Sequence, residues 1–96
     1  MLIKKPISLN EIVTIKLTSS EEVIGRLTAE TDESITLSKP VCLQMTQRGP
    51  ALVQWIMTAD PERDVDIPKT YVIVTIPTQK EIVDMYVPST TGISLV

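Results

Sequence analysis

Residues 13–37 read VTIKLTSSEEVIGRLTAETDESITL, and their alternation decides the fold class. Val13, Ile15 and Leu17 alternate with Thr14 and Lys16, which is the period of a pleated strand with one apolar and one polar face. Thr18, Ser19, Ser20 and Glu21 supply turn chemistry, because short side-chain oxygens compete for nearby backbone N–H groups. Beyond them Val23, Gly25 and Leu27 share one face while Ile24, Arg26 and Thr28 share the other, so a hairpin is predicted. The polar cluster from Glu30 to Ser34 then leads into a third strand over residues 35–37. A glycine in mid-strand marks a bend or a close backbone approach, and Gly25 is predicted to provide one.

The second half continues the β pattern. Val41, Leu43 and Met45 alternate with Cys42, Gln44 and Thr46, and residues 51–57 form another extended run. Between them Gln47-Arg48-Gly49-Pro50 predicts a hairpin tip at Arg48 and Gly49. Residues 59–69 are acidic and contain Pro61 and Pro68, which predicts an exposed loop without strand pairing and one helical turn over 60–63. Residues 71–76 are apolar on both faces, as suits a strand buried on both sides or one sealing a subunit interface. Thr78-Gln79-Lys80-Glu81 has capping-box spacing, and Ile82, Val83, Met85 and Tyr86 form a stripe, so a helix of two turns is predicted before Pro88. Ser8-Leu9-Asn10-Glu11 has the same spacing, but strand character follows at once and only a single turn fits.

Composition sets the bounds. A chain of 96 residues forms one domain, residues 1–96, and buries only about 60–65% of its unfolded surface, so association with other copies would add to a modest core. With no Phe, one Trp and two Tyr, that core must be built from Val, Ile, Leu and Met, and its β-branched content favours sheet. No apolar run approaches the ~20 residues of a membrane span, and Lys4 and Lys5 are followed by no apolar segment of the secretory kind. Together with a single cysteine, Cys42, this predicts a cytoplasmic protein with a strand-buried thiol. Twelve acidic against nine basic residues exclude broad charge-driven nucleic-acid binding but leave room for a small local site. Without histidine, with one cysteine and with three scattered glycines, no nucleophilic dyad, thiolate zinc site or phosphate cradle can be assembled. Asp60, Glu62, Asp64 and Asp66 alternate as cation ligands can, yet they lack the turn glycine and spaced bidentate glutamate of a calcium loop. Catalytic residues, metal ligands and cofactors are therefore not expected. Trp55 offers a surface on which a base could stack, or packs in the core or a subunit interface, which the scarcity of other aromatics favours, and Arg26 and Arg48 read as surface residues.

The pattern Ile15-x-Leu17-x-x-Ser20-x-x-Val23-x-Gly25-x-Leu27, followed by an acidic turn and Ile35-x-Leu37, resembles the first motif of the Sm and LSm family, which includes bacterial Hfq. Lys69 to Pro77 looks like the second motif as Hfq carries it, and the whole string is most similar to Sm-like proteins of marine cyanophage origin, which would place it in the host cytoplasm. The resemblance implies a small all-β fold, a five-stranded, strongly bent antiparallel barrel with a short C-terminal helix. It further implies a homo-oligomeric ring of about five to seven subunits. Carried over by position, the nucleic-acid-binding residues are Lys69, Thr70, Ser34 and Asp32. Ser34 stands where the family has a base-reading asparagine, Asp32 where an aromatic or histidine stacks on a base, and Thr70 where Hfq has histidine. A carboxylate at position 32 offers no π surface and repels phosphate. Two functions follow: a ring binding RNA or single-stranded DNA in nucleic-acid processing, or a structural or adaptor ring that assembles proteins without nucleic acid.

Overall fold

The computed structural model describes residues 7–90; Lys4, Lys5 and the end of the chain lie outside them. Among the described residues six strands form one antiparallel sheet: β1 (Ile12–Leu17), β2 (Glu22–Glu30), β3 (Ser34–Thr46), β4 (Gly49–Gln54), β5 (Val65–Pro68) and β6 (Val72–Pro77). A 3₁₀ turn, Lys69–Tyr71, joins β5 to β6, and one helix, α1 (Lys80–Thr90), follows. The sheet order is β4-β3-β2-β1-β6, and β5 pairs the first part of β3 while β4 pairs the last part. Among the described residues nothing pairs β6 with β4 or β5, so the sheet is open within the chain.

The alternation read from the sequence sorts the two faces. Val13, Ile15 and Leu17 of β1 meet Val23 and Leu27 of β2, Ile35 and Leu37 of β3 and Ile67 of β5 in a single inner core. That β1 and β5 reach one cluster although β2 and β3 lie between them means that the sheet curls strongly. Gly25 permits this. A Cβ there would stand 3.0 Å from Leu37 Cβ and 3.3 Å from the Ser38 carbonyl oxygen, and the β2–β3 register slips between Ile24 and Arg26. The outer face carries a second cluster of Ile12, Ile24 and Val41 under Tyr86 of α1. The Tyr86 hydroxyl lies 2.7 Å from the Ser38 carbonyl oxygen and 3.0 Å from that of Lys39, pinning the helix to the bend of β3.

Several expectations are corrected. The third strand and the first arm of the second hairpin are one continuous strand, β3, because Lys39 takes a left-handed φ of 48° before Pro40 and turns the chain without ending the pairing. The tip of that hairpin is Gln47-Arg48; Gly49, with φ 104°, already pairs with Thr46. The extended run expected over 51–57 ends at Gln54, and turns follow. The acidic loop contains β5, since Val65 and Ile67 face inward on either side of Asp66, whose carboxylate accepts the Thr36 hydroxyl at 2.7 Å. A turn does form before it, with Arg63 N donating to Asp60 O at 3.1 Å.

The last strand is not buried on both sides within one chain: Ile73, Val74 and Ile76 are 63%, 47% and 52% exposed. Helix α1 has eleven residues and runs through Pro88, where the Ser89 and Thr90 hydroxyls donate back to the Met85 and Tyr86 carbonyls at 2.6 and 2.8 Å. Thr78 does not cap it; its hydroxyl shares a 2.8 Å bond with that of Thr14. At the other end the single turn at Ser8 is present, with Ser8 N donating to the Glu11 carboxylate at 3.0 Å.

Candidate functional site

The turn between β2 and β3 and the end of β5 form one corner of the molecule. Ser34 lies opposite Pro68 in the β3–β5 register, and Lys69 N donates to the Glu33 carbonyl at 2.8 Å. Three of the four residues proposed from sequence are thus brought to one place, and Thr70 follows directly in the 3₁₀ turn, exposed. The acidic turn is shaped by Thr31, whose hydroxyl accepts the backbone N–H of Glu33 at 3.1 Å and of Ser34 at 3.0 Å. The Ser34 hydroxyl lies 3.2 Å from the same oxygen. Asp32 is exposed at the crest of this turn.

The corner's electrostatics differ from those of a phosphate site. The Lys69 ammonium lies 2.8 Å from the Glu30 carboxylate, and Asp32 and Glu33 add two further negative charges beside one cation. An exposed pair of this kind contributes about 0–1 kcal/mol, so a ligand can exchange Glu30 for itself, but the neighbouring carboxylates repel a phosphate that does so. The same pairing recurs over the surface. Lys16 meets Glu22 at 3.8 Å, Lys39 meets Glu62 at 3.4 Å and Lys80 meets Asp84 at 2.9 Å, so every lysine among the described residues has a carboxylate partner. Arg26 donates to the Asn10 carbonyl at 2.9 Å. Arg48, on the exposed hairpin tip, and Arg63 have no carboxylate within ion-pair distance among the described residues.

The carboxylates of the 60–66 segment serve its architecture. Asp60 accepts Glu62 N at 3.0 Å, Asp64 accepts the Thr28 hydroxyl at 3.1 Å and Asp66 that of Thr36. They diverge, and no group of three or more metal-ligating side chains converges among the described residues. Cys42 is half-buried on β3 against the inner core, and burial, with the Glu21 charge, pushes its thiol above the ordinary cysteine range. Trp55 packs half-buried against the same core. No helix among the described residues is long and apolar enough to cross a membrane.

What the sequence reading missed lies on the outer face and at the edges. The register places Val41, Leu43 and Met45 of β3 on the outer face, paired with Gln54, Leu52 and Pro50 of β4. Helix α1 covers Val41 and part of Leu52, but Leu43 and Met45 continue beyond it into solvent. Across the sheet Ile76 and Val74 of β6 share that face, paired with Thr14 and Lys16. Between them a groove of about 700 Å³ runs beside the start of α1, with Ile24, Leu43, Ile76 and Ile82 in its walls and Glu21 and Glu22 on its rim. A smaller pocket of about 260 Å³ lies under the 55–64 segment between Lys39, Leu52, Gln54 and Thr90. Alternation alone reveals an apolar face; which part of it the helix leaves uncovered depends on where Tyr86 anchors.

Comparison with protein-family models and with curated proteins finds no match to either.

Proposed function

We propose that this chain is an assembly module: a curved β-sheet that joins copies of itself edge to edge and works as a structural or adaptor ring. One observation carries the reading: among the described residues both end strands of the open sheet have an unpaired outer edge, with exposed apolar side chains at or beside it, Ile73, Val74 and Ile76 on β6 and Leu43 and Met45 next to β4. Unpaired edges with apolar side chains are uncommon in a protein that stays single, because they template pairing with another chain. The two edges differ, so joining β4 of one copy to β6 of the next is head-to-tail and gives a ring when the rotation closes. In that arrangement the sheet continues across each junction, and the barrel implied by the Sm-like motifs is completed between subunits.

Light scattering on a sizing column tests this. The chain should elute with a mass of several subunits at micromolar concentration, and Val74→Lys, at an exposed edge position, should return it to monomer with its strand content retained. A wild-type monomer at that concentration refutes the reading.

The second reading, a ring that binds RNA or single-stranded nucleic acid, is supported by the meeting of Ser34 and Lys69 at one corner, which a ring would repeat around its axis. The carboxylates around Lys69 weigh against it. Protein purified without nuclease decides between them: a 260/280 nm absorbance ratio above that of its own Trp and Tyr favours nucleic acid, and a pure protein spectrum favours the adaptor.

A further inference from the structure

We propose that the pocket under the 55–64 segment is a binding site for a free amino acid with an aliphatic side chain. The bend of β3, the end of β4, the 55–64 segment, the start of β5 and the end of α1 build it together. Its volume of about 260 Å³ falls below the roughly 300–1,000 Å³ of sites for drug-sized molecules, which limits the guest to a small one. Hydrogen bonds hold the walls in place without a ligand. The Gln54 side-chain amide donates to the Ile56 and Ala59 carbonyls, each at 2.8 Å, Trp55 N donates to the Pro40 carbonyl at 3.0 Å, and the Tyr86 hydroxyl fastens α1 to Ser38 and Lys39. A site formed in advance loses little of its binding energy to ordering its own walls.

The charges on the lining select the guest. Arg63 and Asp60 both line this one small pocket, yet no ion pair joins them, and the Arg63 guanidinium has no partner of any kind among the described residues. Asp60 accepts Glu62 N at 3.0 Å on one carboxylate oxygen and has no cation partner among the described residues. Lys39, on the same lining, makes only long contacts, 3.4 Å to the exposed Glu62 carboxylate and 3.5 Å to the Pro61 carbonyl. Gln54 uses its amide nitrogen for the loop carbonyls, and its oxygen has no donor among the described residues. Opposite charges left apart on the walls of one pocket suit a guest that carries both signs. A carboxylate takes the forked donors of Arg63 with Lys39 as a second cation, and an ammonium takes the acceptors of Asp60 and Gln54. Val41, Leu52, Ile56 and Val65 offer the side chain an aliphatic lining, and no aromatic residue lines the pocket among the described residues, so nothing there stacks on a base. A fatty acid would leave Asp60 unmatched, and an amine would leave Arg63 unmatched. All of these groups belong to one chain, so the site does not depend on how copies assemble.

Isothermal titration calorimetry on the full chain tests this with L-leucine and two analogues, 4-methylpentanoate, which lacks the ammonium, and 3-methylbutylamine, which lacks the carboxylate. L-Leucine should bind with a dissociation constant of about 1 mM or below, and each analogue about tenfold more weakly. Arg63→Gln and Asp60→Asn, both at exposed positions, should each weaken leucine binding about tenfold with far-ultraviolet circular dichroism unchanged; asparagine keeps an acceptor for Glu62 N. Asp60→Asn should leave the binding of 4-methylpentanoate undiminished, a result that a damaged pocket would not give. The absence of any binding heat with L-leucine at about 10 mM overturns the site. An affinity for 4-methylpentanoate equal to that for leucine overturns the amino-acid assignment, and two variants that bind leucine as wild type does overturn the placement in this pocket.

Discussion

Tyr86 is the residue on which α1 depends, and removing its hydroxyl measures how firmly the helix is held. The side chain is 1% exposed, and its oxygen lies 2.7 and 3.0 Å from the carbonyl oxygens of Ser38 and Lys39 at the β3 bend. Tyr86→Phe keeps the ring but leaves those carbonyls without their donor, a loss of about 1–2 kcal/mol from one hydrogen bond plus partial desolvation of its acceptors. For a chain of this size that lowers the melting temperature by about 4–8 °C per kcal/mol. Tyr86→Ala also empties the space between Ile12, Ile24 and Val41 and should cost about 3–5 kcal/mol, a large part of the stability of a small domain.

The same residue predicts a dependence on pH. Burial raises the Tyr86 phenol above its ordinary value of 10.0, with the nearby Arg26 acting in the opposite sense. Below about pH 10 both folded and unfolded chains keep the proton and the contribution to stability is complete. As pH rises past that value the unfolded chain ionises first, so stability falls until the folded phenol also ionises. Tyr86→Phe should therefore melt lower at neutral pH yet lose less than wild type between pH 9 and 11, in calorimetry at one fixed protein concentration. Equal melting temperatures at pH 7, or parallel losses on the alkaline side, would refute the role given to the hydroxyl.

Gly25→Ala should lower the urea midpoint, because its Cβ would press on Leu37 Cβ at 3.0 Å; overpacking of about 1–3 kcal/mol outweighs the roughly 0.4–1 kcal/mol gained from a stiffer unfolded chain. A midpoint equal to that of wild type would show that β2 can shift away from β3. Ile67→Ala, at a position 4% exposed in β5, should cost about 2–5 kcal/mol and increase amide exchange at Ile35 and Leu37; an unaffected exchange rate there would mean that β5 is peripheral. If the corner at Lys69 binds single strands, Lys69→Ala should weaken binding and flatten its log-log salt slope by about 0.7 per phosphate lost. Asp32→Tyr, which adds a stacking surface and removes a carboxylate, should strengthen binding to uridine-rich RNA; titrations at two salt concentrations in which neither variant changes affinity would remove the corner from consideration.

Local pattern was enough to reveal the all-β character, the first hairpin, the role of Gly25 and the helix after Thr78. Each is written in a local period or in a single residue's steric need: the two-residue alternation of Val13-Ile15-Leu17, the missing side chain beside Leu37, the spacing of Ile82, Val83 and Tyr86. It also brought Ser34, Asp32 and Lys69 forward as a group, through the likeness of two motifs to Sm-like proteins. The rest depended on contacts between residues far apart in the chain. The strand β5 was hidden because four residues flanked by prolines and acids carry too short a pattern, and their alternation matters only once Thr36 and Ile35 are beside them. The unity of β3 depended on Lys39 adopting a left-handed conformation that the pinning of Tyr86 accompanies. The charge of the candidate corner turned on Glu30, a residue distant from Lys69 in sequence that the β2–β3 turn brings to 2.8 Å from its ammonium. The uncovered apolar edges likewise depend on where α1 comes to rest, because burial is a property of neighbours in space and not along the chain.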